Sequence, residues 1–127
     1  MESALASEPF TVIGKAMVTY PVSVRRNGYR GTDARKRAKA NSENRDASVL
    51  EGYANKLLLE QTQPIQVYFW MELAQGTGLP YETVARLGPS IDGGSGGFTA
   101  WRHGMTYEAA MAANSQASDT TDKSGNV

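Results

Sequence analysis

The stretch Leu73-Ala74-Gln75-Gly76-Thr77-Gly78-Leu79-Pro80-Tyr81-Glu82-Thr83-Val84-Ala85-Arg86-Leu87 decides how the chain is read. Leu73 and Ala74 close a first helix, Thr77-Gly78-Leu79 makes a tight turn, and Pro80 to Leu87 forms a second helix. Gly78 stands where the turn asks for φ > 0, a region that glycine enters without a Cβ penalty. Ala74, four residues earlier, is small where two helix backbones would approach. Leu79, Val84 and Leu87 recur at core-facing intervals. That leaves Tyr81, Glu82, Ala85 and Arg86 on the exposed face of the second helix.

Working outward, the helix pair needs a core to sit on. Ser48-Val49-Leu50-Glu51 has the form of a capping box. Beyond it Val49, Leu50, Tyr53, Ala54, Leu57 and Leu58 repeat at helical spacing, so a helix is predicted to about Thr62. Gln63-Pro64 interrupts it, and Pro64 suits the first position of a following helix. Ile65, Phe69 and Leu73 then share one helical face, and the apolar run Val67 to Met71 is the predicted centre of the core. On the other side, Gly88-Pro89 stops the second helix. Asp92-Gly93-Gly94-Ser95-Gly96-Gly97 reads as a flexible loop, and Phe98 to Arg102 alternates like a short strand. Thr106 caps a last small helix from Tyr107 to about Ala113. Ser115 to Val127 is polar and low in complexity, the composition of a disordered tail.

Met1 to Glu8 is small and polar and is expected to fray. From Phe10 the pattern has period two. Phe10, Val12, Ala16, Val18, Tyr20, Val22 and Val24 occupy even positions, with Thr11, Lys15, Thr19, Ser23 and Arg25 between them. Such alternation predicts a strand with one buried face, in which Gly14 marks a bulge and Pro21 a bend or an end. Asn27-Gly28 is a hairpin-turn dipeptide that would return the chain through Tyr29-Arg30. A two-stranded hairpin is marginal alone, so it should pack on helices or pair with another copy of itself. Thr32 to Asp46 has no apolar stripe and is expected to be a loop, or a helix that forms against DNA. Three segments result: an N-terminal hairpin and basic arm (1–46), a helical domain (47–113) and a disordered tail (114–127).

The string Thr77 to Leu87 resembles the helix-turn-helix of bacterial repressors, including the lactose-repressor family. The resemblance covers about twenty residues, roughly Trp70 to Pro89, and departs at Pro80, where a capping Ser is common. It implies a helix-turn-helix, and with the hairpin and tail read above the expected fold is α+β: a helix-turn-helix three-helix core with an N-terminal β-hairpin and a disordered C-terminal tail. Helix, turn, helix, glycine loop and strand is also the order of a winged-helix domain, with residues 92–101 as the wing. It further implies that residues 80–87 enter the major groove of duplex DNA while the first helix crosses the backbone. Tyr81, Glu82 and Arg86 then face bases. Arg can donate bidentately to guanine and Glu can accept from cytosine. Thr77, Thr83 and the helix N-terminus at Pro80 would contact phosphate.

Charge distribution bears on the same reading. The chain is neutral overall, with 13 basic and 13 acidic residues. Between Arg25 and Arg45, however, eight basic residues face only Asp33 and Glu43, a net of +6 that leaves −6 elsewhere. Arg25, Arg26, Arg30, Arg35, Lys36, Arg37 and Lys39 are therefore the candidate phosphate contacts. Other functions find less support. There is no cysteine, so no thiol chemistry, and the single histidine, His103, has no second ligand of its kind for a metal. The carboxylates are scattered, and Ser95 among its glycines has no evident base. The glycine loop lacks the Gly-Lys-Ser/Thr ending of a phosphate cradle. The expectation is a small, non-enzymatic, cytoplasmic transcription regulator of bacterial or mobile-element type. It needs no cofactor or small-molecule ligand and binds as a homodimer, with the Phe10–Val24 strand as dimer surface. The alternative is a protein-interaction or adaptor domain that offers the same strand and the helix pair to a partner.

Overall fold

Asp33 starts the longest element. Its carboxylate accepts from the Arg35 and Lys36 backbone N–H groups at 2.9 and 3.2 Å, and helix α1 runs from there over Ala34–Glu60. The computed structural model describes residues 16–115. After α1 come strand β1 (Ile65–Phe69), helix α2 (Trp70–Thr77), helix α3 (Tyr81–Leu87) and a 3-10 turn (Gly88–Ile91). Strand β2 (Gly97–Trp101) and a last helix α4 over residues 107–115 complete the order. The architecture is α+β, with a two-stranded antiparallel sheet set among helices. No helix among the described residues is long and apolar enough to cross a membrane.

Three sequence expectations are corrected by this architecture. First, of the loop and the helix expected over Thr32 to Asp46 the helix is formed, from Ala34 on, and Ser48 to Glu51 does not begin a helix, because α1 passes through both without a break. The expected boundary between 46 and 47 falls inside it. The buried positions of α1 are Ala40, Ala47, Leu50, Ala54 and Leu58. Its first half therefore buries only two residues, Ala40 and Ala47. Alanine buries little area, yet it is the best helix former and lets neighbours come close. Propagating an existing helix also adds one hydrogen bond per residue fixed, so the anchored Leu50–Leu58 half favours the polar half.

Second, Pro64 opens a strand rather than a helix. Ile65 to Phe69 is rich in β-branched and aromatic residues, and a short apolar run of this kind satisfies either period. Pairing with β2 decides it, in the register Ile65↔Trp101 through Phe69↔Gly97. Ile65 and Leu73 are buried, but Phe69, expected on their face, is half exposed. The helix begins only at Trp70, where the Glu72 carboxylate accepts from the Phe69 N–H at 2.8 Å. The expected strand at Phe98 to Arg102 is present as β2, and Thr106 does cap α4, its Oγ1 accepting from the Ala109 N–H.

Third, the N-terminal hairpin is absent from residues 16–30. Val18 makes one parallel bridge to Ala100 on the edge of β2 away from β1. Residues 22–30 are an extended strap that lies along α1 and returns through no second strand. Asn27 does turn the chain, but its Oδ1 accepts from the Tyr29 N–H, which forms a local side-chain turn instead of a strand-to-strand reversal. The even positions Val22 and Val24 are buried as alternation predicts. The Val18, Val22 and Val24 backbones are thus bonded within the chain. Phe10 to Lys15, the expected bulge at Gly14 and the tail from Gln116 onward lie outside the described residues.

One core joins these parts. Val22 and Val24 of the strap, Leu50, Ala54 and Leu58 of α1, Tyr68 of β1, Trp70 and Leu73 of α2, Val84 of α3 and Phe98 of β2 belong to a single buried cluster. Tyr68 stacks on Phe98 with ring centroids 5.3 Å apart, and Trp70 is tilted against the same ring at 5.9 Å. Gln61, at the end of α1, is buried and fully used. Its amide donates to the carbonyls of Gln63 and Ala100 and its Oε1 accepts from the Tyr68 hydroxyl at 2.8 Å. Burial, with Glu72 adding to it, pushes the Tyr68 phenol far above its ordinary range, so this hydroxyl stays a donor.

Candidate nucleic-acid interface

Helices α2 and α3 are joined through Gly78, which has φ 80° and donates to the Ala74 carbonyl at 2.9 Å. Thr77 tightens the same corner. Its hydroxyl donates to the Leu73 carbonyl at 2.7 Å and accepts from the Leu79 N–H at 3.1 Å. Pro80 stands just before α3, and its carbonyl accepts from the Thr83 and Val84 N–H groups. Val84 is buried, and Leu79, Ala85 and Leu87 pack partly against the core. Ala85 is thereby removed from the expected exposed face. Tyr81, Glu82 and Arg86 remain on it, and Thr83 is half-buried.

The glycine loop sits beside this helix. Its glycines are required for three different reasons: Gly93 by the Trp70 ring, Gly97 by the Tyr68 backbone and Gly96 by its φ of 93°. A Cβ on Gly88 would come within 2.7 Å of the Trp70 ring, and one on Gly93 within 2.9 Å. The loop is therefore packed against an indole, not merely flexible. Gly94 and Gly97 then bridge, and an open cleft of about 370 Å³ is left between Gly94-Ser95-Gly96 and the side chains of Tyr81, Ala85 and Pro89.

The basic stretch reaches α3 through the strap, and the strap is held by side chains of α1. The Val22 N–H donates to Asn55 Oδ1 (2.8 Å) and Asn55 Nδ2 donates back to the Val22 carbonyl (3.0 Å). The Val24 N–H donates to Glu51 Oε1 (2.9 Å), and Arg26 spans Glu51 (3.1 Å), Ser48 Oγ (3.2 Å) and the Val24 carbonyl (2.6 Å). Asn44 repeats the Asn55 pattern on Asn27, with Oδ1 accepting from its N–H and Nδ2 donating to its carbonyl. Asn44, Ser48, Glu51 and Asn55 are spaced 4, 3 and 4 apart, which puts them on one face of α1. A helix face here does the hydrogen bonding of a neighbouring strand. Sequence reasoning read Ser48 and Glu51 as a capping box and missed the role of all four residues in holding the strap, although their spacing was visible as a polar stripe. The Glu51 carboxyl is held below its ordinary value, first by the Val24 N–H and then by Arg26, against an opposing effect of burial.

Two contacts tie this assembly to α3. The Arg25 N–H donates to Ser90 Oγ at 2.9 Å, just beyond α3. Arg86 Nη1 lies 3.4 Å from Glu43 Oε2, so the helical neighbour Glu82 is not its partner. Glu43 Oε1 also accepts from Asn27 Nδ2 at 2.8 Å. Of the sequence-predicted phosphate contacts, Arg26 is committed to Glu51 and Ser48, and Arg37 donates to the Gly31 carbonyl. Arg25, Arg30, Arg35, Lys36 and Lys39 are exposed and make no ion pair among the described residues. Lys36 and Lys39 flank a shallow cleft with Asn27, Tyr29 and Glu43. His103 packs edge-on against Tyr20, 4.9 Å between centroids, and no three His, Asp or Glu converge among the described residues. Comparison with protein-family models, curated proteins and solved structures finds no match to this chain.

Proposed function

We propose that the chain is a sequence-specific duplex DNA-binding protein, a small transcription regulator of the helix-turn-helix kind. α3 enters the major groove and the basic stretch lies on phosphates. The observation that carries this reading is the pair of contacts Arg25–Ser90 and Arg86–Glu43. They bring two residues of the +6 stretch, Arg25 and Glu43, beside α3 and the turn that follows it. The winged form of the fold, with residues 92–101 as the wing, belongs to the same proposal and is supported by the packing of the glycine loop beside α3. Tyr81, Glu82 and Arg86 supply the base-facing groups, of which Arg86 is the strongest discriminator because it can bond guanine bidentately.

The parts of this division of labour differ in strength. Thr77 commits its hydroxyl to the turn. Arg26 commits its guanidinium to the strap, so neither is counted as a DNA contact. The five uncommitted cations carry the sequence-independent affinity. A helix of seven residues reads few base pairs, so the protein binds as a homodimer on a two-fold site. The experiment is a gel shift of the full chain with random duplex over a range of salt. Five phosphate contacts per protomer, ten for the dimer, give a slope of log affinity against log salt of about −9. No binding at low salt overturns the proposal. A slope near zero would show contacts of another kind and favour the adaptor alternative.

A further inference from the structure

We infer that Glu43 is a specificity-determining positioning residue, which acts through Arg86 as a brake on binding to non-cognate DNA. The inference rests on the DNA-binding reading above and goes one step further, to how that surface tells sequences apart.

Glu43 stands in the middle of the basic stretch, where the only other carboxylate, Asp33, is used to cap α1. Its side chain is 22% exposed and divided between two partners: Oε1 takes the Asn27 amide at 2.8 Å and Oε2 faces Arg86 at 3.4 Å. The Asn27 bond anchors the carboxylate. The Arg86 contact is long, and Arg86 keeps 54% exposure, so the guanidinium is held but readily exchanged. A guanine edge offers Arg86 two parallel hydrogen bonds, more than Glu43 gives it. A random backbone offers a single charge contact, and Glu43 opposes that contact with its own charge. Glu43 thus weakens non-cognate binding more than cognate binding. Lys36 and Lys39, on the same cleft, keep the surface attractive to phosphate in either case.

The test uses the full chain, the variants Glu43→Gln, Arg86→Ala and their combination, and two probes: a random duplex and the duplex that the wild type enriches from a random pool. Gln preserves the acceptor for Asn27, and circular dichroism melts verify that each variant is folded. Glu43→Gln is expected to bind the random duplex about 3- to 5-fold tighter, the range of an exposed ion pair. Its affinity for the enriched duplex should change less than about twofold, so the specificity ratio falls. In the Arg86→Ala background the gain from Glu43→Gln should vanish. A gain that is equal on both probes and survives in that background is a plain net-charge effect and overturns the inference. Wild-type binding with no gain in Glu43→Gln overturns it as well and leaves the DNA reading standing. If neither wild type nor Glu43→Gln binds duplex at low salt, both fall together.

Discussion

Asn55→Ala tests the device that holds the N-terminal strap to α1. Asn55 satisfies both backbone groups of Val22, at 2.8 and 3.0 Å, and Val22 is only 7% exposed. Truncation leaves a buried N–H and a buried carbonyl without partners. Each such group costs about 1–3 kcal/mol, and partial access of water puts the pair at about 2–4 kcal/mol. Ala is a better helix former than Asn by up to about 0.7 kcal/mol, which offsets part of the loss. A net loss of about 1.5–3.5 kcal/mol is expected, or roughly 7–17 °C in Tm for a domain of about 100 residues. The control is Asn41→Ala, on the exposed side of the same helix, which should gain the propensity and lose nothing. Asn44→Ala should fall between the two, because Asn27 is only half-buried. Urea and thermal unfolding by circular dichroism give the comparison, and hydrogen exchange at the Val22 amide localises it. If Asn55→Ala is as stable as Asn41→Ala, side-chain capture does not hold residues 22–30 against α1.

Single contacts give further expected outcomes. Glu51 titrates below its ordinary value of 4.5 in the folded chain, so its stabilising contribution is complete above that pH and is lost as pH falls through the folded value. Glu51→Gln should therefore flatten the acid limb of a stability-against-pH curve, and an unchanged limb would remove Glu51 from the explanation. Gly97→Ala places a Cβ against the backbone carbonyl of Tyr68, which cannot swing aside. A loss of about 3 kcal/mol or more in urea unfolding is expected, and wild-type stability would mean that the β1–β2 register is misassigned. Arg86→Ala should lower the ratio of enriched to random duplex binding by about 1–3 kcal/mol. Its Tm should barely move, since an exposed pair contributes about 0–1 kcal/mol. Unfolding of that variant would make Arg86 structural.

Residues 73–87 show what could be read from the chain alone. Gly78 at φ 80°, the buried Val84 and the exposed Tyr81, Glu82 and Arg86 are local consequences of turn chemistry and a 3.6-residue period. The same holds for Thr106 as a cap, for the strand around Phe98 and for the burial of Val22 and Val24. Each depends on neighbours a few residues away, which sequence displays. The candidate site was legible in type, as a basic stretch and a helix, but not in arrangement. Nothing local says that Arg86 faces Glu43 rather than Glu82, or that Arg26 is engaged inside the fold.

The failures have one physical form. Ile65 to Phe69 fits a strand or a helix equally, and only the β2 ladder chooses between them. Residues 34–46 look unpackable until Ala40 is buried and Asn44 meets a strap. Asn27-Gly28 looks like a hairpin turn until Asn44 captures the Asn27 backbone. Composition and period determined the turn at Gly78, the exposed face of α3 and the +6 stretch, because those are properties of short segments. The tertiary structure decided which elements pair, which cations remain uncommitted and what lies beside Arg86, because those energies arise only between residues that folding brings together.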